Sequence, residues 1–67
     1  MQTEKVLILA RKHLGNNAVM ESSARFCMAE AVARMNEDKP DLARSWAIRS
    51  LEYSVGIFHA DYRSAKA

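Results

Sequence analysis

Between Asp41 and Tyr62, apolar residues recur at the period of a helix for 22 residues. Ala43, Ala47, Leu51, Ser54 and Phe58 make the central stripe. Ile48, Val55 and Tyr62 widen it on one side, and Trp46, Tyr53 and Ile57 on the other. Ser45, Arg49, Glu52, Gly56, His59 and Arg63 fall opposite. The spacing predicts one amphipathic helix about 33 Å long. Asp38 is expected to cap it, with Pro40 in the first turn, where a missing N–H costs nothing, and Asp41 at the positive end of the helix dipole. An element this long sets the long dimension of any fold that 67 residues can make.

Two shorter segments precede it. Leu7, Ala10 and Leu14 fit a first helix that starts with Thr3 as cap and stops at Gly15, which takes a left-handed turn cheaply. The apolar run Val6–Leu9 would also suit a strand, but its charged flanks favour helix. Gly15, Asn16 and Asn17 form a turn cluster, and Asn16 or Asn17 can cap a second helix from Ala18 to Met35. The seam of that helix is Met20, Ala24, Cys27, Met28, Ala31 and Met35, with Val19 and Phe26 beside it. Glu21 with Arg25, and Glu30 with Arg34, stand i,i+4 in the favourable order. The polar turn from Asn36 to Lys39 is too short for anything but an antiparallel return. The tail from Arg63 to Ala67 extends the last helix or frays.

The expected fold is therefore all-α: a short N-terminal helix followed by a long antiparallel helical hairpin, in one domain over residues 1–67. The paired small residues Ala31, Ala43 and Ala47 resemble one tetratricopeptide-type helical hairpin in shape. The repeat's signature aromatic and glycine positions are missing, so the resemblance carries no function.

Composition bears on how such a fold is held. Of 33 hydrophobic residues 11 are alanine, which leaves a thin core. Domains of this size are marginal alone and lean on disulfides, metals or association. A single Cys27 excludes an internal disulfide. Association remains, and a homodimer that completes a helical bundle is its commonest form. The aromatic and aliphatic groups Trp46, Tyr53, Ile57, Phe58 and Tyr62 are the expected contact residues, because the apolar arc of the long helix is wider than one partner helix covers. Either the Val6–Leu14 segment or a second chain must close it.

Little in the chain points to chemistry. His59 and Asp61 stand i,i+2, a spacing that on a helix aims side chains apart, and His13 could join them only through a tertiary contact. No catalytic, cofactor or metal site is expected. Cys27, between Phe26 and Met28 on the apolar seam, reads as a buried, unreactive thiol. Ten basic and eight acidic residues are interspersed, for a net charge of +2. A dimer could still gather Arg25, Arg34, Arg44 and Arg49 into a stripe that binds nucleic acid. The expected function is a small cytoplasmic interaction or regulatory protein, not an enzyme, whose first partner is itself and whose second is another protein. Nucleic acid is the alternative partner, and no membrane span is expected.

Overall fold

The turn after the second helix decides the architecture. In the computed structural model, which describes residues 1–16 and 22–67, Lys39 N donates to the Arg34 carbonyl at 2.9 Å and Asp38 N to the Met35 carbonyl at 3.0 Å. This crossed pair is the Schellman closure of a helix, and it needs a left-handed residue between helix and exit. Asp38 fills that place with φ 60°. Aspartate is among the few non-glycine residues that tolerate this conformation. Asp38 therefore ends one helix and does not cap the next. Lys39 takes the cap position, and Pro40 opens the following helix with its φ already set.

Among the described residues there are four helices and no strand: α1 (Thr3–Asn16), α2 (Ser22–Asn36), α3 (Pro40–Val55) and α4 (Ala60–Lys66). The run at Val6–Leu9 is helical. Gln2 supplies the carbonyl that starts α1, and Thr3, inside the helix, donates its hydroxyl to the Pro40 carbonyl at 3.2 Å. Gly15 lies within the last turn of α1 and does not end it. The expected start of the second helix at Ala18, with Asn17, Met20 and the Glu21 half of its pair, lies outside the described residues. Glu30 and Arg34 do pair, at 3.1 Å.

The single helix expected over 41–62 is two helices. Gly56 has φ 84° and ψ 156°, and its N–H closes on the Glu52 carbonyl. Only glycine adopts that backbone without strain. The chain then turns, and His59 caps α4 by accepting a hydrogen bond at Nδ1 from Asp61 N. An unbroken helix of about 33 Å would exceed the longest Cα dimension, 29 Å.

Helix α3 is the spine on which the other three pack. Helix α2 runs antiparallel to it: Ser50 Oγ, fully buried, donates to the Ala24 carbonyl at 3.0 Å, and Phe26 meets Trp46. The same register brings Cys27 level with Ala47 and Ala31 level with Ala43. Small groups along both seams let the backbones approach. Helix α1 runs alongside α3 in the same direction, tied at its start by Thr3 and at its end to Asp61 by His13. Val6 and Ala10, one turn apart, are its fully buried residues. Helix α4 folds back, so Tyr62 and Ala65 enter the core with Leu51 and Ile48. Arg44 fixes that return by donating from Nη2 to the Ala65 carbonyl. The wide apolar arc is thus closed in part by α1 and in part by the doubled-back end of the same stretch.

Replacing Gly56 with Ala isolates the turn. A Cβ there would meet nothing within 4 Å, so the cost is backbone strain alone. Gly56→Ala is expected to lower stability by about 1 kcal/mol or more, read as a lower urea midpoint at unchanged slope.

Candidate functional site

Close approach of α2 and α3 has a geometric consequence. The small residues meet at the bottom of the contact, and the large groups beside them are forced to its outer edge. There Ser22, Ser23, Phe26 and Cys27 from α2 face Trp46, Arg49, Glu52 and Tyr53 from α3 across a groove of about 600 Å³. The Phe26 and Trp46 rings meet edge to face, 5.9 Å between centroids at 80°. The Arg49 guanidinium lies 5.1 Å from the Trp46 ring centre, in cation–π range. Phe26 is 58% exposed and Tyr53 48%. The groove is therefore apolar on its walls, cationic at one rim and open to solvent.

Cys27 forms its floor and is buried. Burial pushes the thiol above its ordinary range; Arg49 pulls the other way, and Glu52 and Glu30 reinforce the rise. At neutral pH the sulfur stays protonated, which makes it a poor nucleophile.

The expected contact residues part company. Trp46 and Tyr53 line the groove together. Ile57 and Phe58 sit in the turn after Gly56, Ile57 at 47% and Phe58 at 82% exposure. Tyr62, at 9%, is a core residue whose hydroxyl donates to Glu52 at 3.3 Å. Phe26 belongs to the groove and was missed. Its sequence signal was a large aromatic flanking the seam at Cys27, a position that cannot be buried once the seam itself is. The four arginines also divide. Arg34 is held by Glu30 and by Glu37 at 2.7 Å. Arg25 is exposed on α2. Arg44 and Arg49 share a second groove, with Lys66.

A separate cluster joins α1 to α4. His13 Nε2 lies 2.7 Å from Asp61 Oδ2, the His13 and His59 rings stand edge to face at 5.5 Å, and His59 Nδ1 lies 3.8 Å from the same carboxylate oxygen. Sequence spacing sent His59 and Asp61 apart because it assumed a helix through both. The break at Gly56 puts His59 at the cap, and the two side chains converge. Among the described residues no group of three or more His, Cys, Asp and Glu side chains is placed to hold a metal ion. No described helix is long and apolar enough to cross a membrane.

The hydrogen bond from His13, aided by His59 and Lys12, holds the Asp61 carboxyl below its ordinary value of 3.8. A depressed carboxyl pKa contributes stability above the unfolded value, and that contribution is lost as pH falls through the folded one. Asp61→Asn is therefore expected to lower the Tm at neutral pH, and the gap to the parent should close below pH 3.8. Thermal melts across that window check it. For Cys27, a disulfide reagent should label the native chain far more slowly than the urea-unfolded chain, at a rate that follows opening of the fold.

No protein-family model, curated protein or solved structure matches the chain.

Proposed function

We propose that this chain is a small protein-interaction module that works through the groove between α2 and α3, and that its first partner is a second copy of itself. The observation that carries the reading is the set of wet aromatic rings. Phe26, Trp46 and Tyr53 line one open groove, while Phe58 projects 82% exposed from the turn at the far end of α3. Groove and anchor on one chain suit a two-fold contact in which Phe58 of each copy enters the groove of the other. Tyr and Trp are enriched among residues that dominate interface energies, because they bury much area while freezing few torsions. A core built largely of alanine gains from the extra burial.

The module acts by occupying a surface and carries out no reaction of its own. Its setting is the cytoplasm, where a lone thiol persists unoxidised. Nucleic acid is the second reading. It draws on Arg44 and Arg49, and it is weakened by the two glutamates that offset Arg34.

Sedimentation velocity at micromolar concentration tests the proposal. The parent chain is expected to sediment as a dimer. Tyr53→Glu and Phe58→Glu should each shift it toward monomer and lower the apparent stability at micromolar concentration, since the burial supplied by the second copy is lost with the dimer. A parent that stays monomeric, or variants that associate as the parent does, would refute it.

A further inference from the structure

Arg49 and Glu52 form a ridge with a groove on each side. Beyond it lies the second groove, about 310 Å³, lined by Arg44, Ser45, Ile48, Arg49, Glu52 and Lys66. The five α3 residues fall on one face of the helix by their spacing, and Lys66 arrives from the end of α4 because that helix doubles back. Three cations thus meet one carboxylate in a confined space. Arg44 is fixed by neutral acceptors, Nε donating to the Met1 carbonyl at 3.1 Å and Nη2 to the Ala65 carbonyl. Among the described residues, neither Arg44 nor Arg49 nor Lys66 has a carboxylate within ion-pair distance. Arg34 and Lys39 differ in this respect, since both are paired with glutamate. The groove therefore holds an excess of positive charge that the fold positions and that Glu52 offsets only in part.

We infer that this groove binds a phosphate monoester. A guanidinium matches phosphate oxygens with a planar fork of donors, and Arg44 is held in place before any ligand arrives, with Nη1 making no hydrogen bond among the described residues. Lys66, beside Arg44, and Arg49 line the same groove and add charge, and Ile48 adds an apolar surface. The site is compact. A polynucleotide presents a row of phosphates and is met by a row of cations, whereas these three line one small groove together with the Glu52 carboxylate. A single dianionic group fits that distribution. Ser45 donates its hydroxyl to the Asp41 carbonyl at 3.2 Å and so lends no donor. Arg44 and Lys66 stand outside the aromatic groove on which self-association depends, whereas Arg49, stacked on Trp46, lines both grooves.

An NMR titration of the full chain at low salt tests it, with O-phosphoserine, a peptide bearing one phosphoserine, inorganic phosphate and a short DNA oligonucleotide as probes. Saturable shifts are expected at the amides of Arg44, Ser45, Arg49 and Lys66. Lys66→Gln and Arg49→Gln should each weaken phosphoserine binding by about three- to tenfold with the helical content unchanged. Arg44 is not the residue to replace, because it also ties down α1 and α4. Tighter binding of the peptide than of free phosphoserine would assign the phosphate to a protein, and equal binding to a small molecule; either supports the site. No saturable shift at millimolar probe would overturn it, as would shifts that both variants leave unaltered. Binding of the oligonucleotide alone, with a steep salt dependence, would replace it with a nucleic-acid surface.

Discussion

The seam of small residues between α2 and α3 is the contact on which the rest depends. Ala24, Ala31, Ala43, Ala47 and Ser50 are all fully buried. Where two helices meet through such side chains their backbones come close, and the Ser50 hydroxyl finds the Ala24 carbonyl inside that contact. Removing a hydroxyl of this kind costs about 0.5–1.5 kcal/mol; enlarging one of the alanines forces the helices apart at about 1–3 kcal/mol. The same closeness leaves no room for Phe26, Trp46 and Tyr53 between the helices. They line the edge instead, and the groove follows from the packing beneath it.

A close pair of helices covers only one side of α3. The other side needs α1 and α4, and the chain delivers α4 by breaking its longest apolar run. Gly56 turns the backbone, His59 caps the new start, and Tyr62 and Ala65 drop onto Leu51 and Ile48. Two polar ties hold the return at its ends, the carboxylate of Asp61 against His13 and the guanidinium of Arg44 against the Ala65 carbonyl. The second tie is also what carries Lys66 beside Arg44. One break in the helix thus completes the core, exposes Phe58 at the turn and assembles the basic groove.

Much of this was legible in the residues. Periodicity identified α1, the described part of α2 and the first four turns of α3, and the polar turn between α2 and α3 announced their reversal. The end of α3 was misread because Ser54, Phe58 and Tyr62 keep step at i,i+4, so the pattern runs on through the break. Glycine inside a helix costs about 1 kcal/mol against alanine, and Gly56 was the one residue that argued for stopping. Asp38 was misassigned because an acid near a proline is a common cap, whereas its left-handed role depends on where the preceding helix ends. Tyr62 changed from surface to core, and His13 reached Asp61, through the fold-back of α4. No local pattern encodes either contact. Trp46 and Tyr53, expected as contact residues from the width of the apolar arc, line the groove because aromatic groups at the edge of a seam of small residues have nowhere else to go. Phe26, by the same logic on the facing helix, was within reach.

In the proposed dimer the aromatic groove of one copy receives the turn of another. An isotope-filtered NOE experiment on a mixture of labelled and unlabelled chain tests it most directly, because only contacts between copies give signal. Cross-peaks are expected from Phe58 to the rings of Phe26, Trp46 and Tyr53. Intermolecular cross-peaks confined to other faces, or none at concentrations where the two populations mix freely, would contradict it.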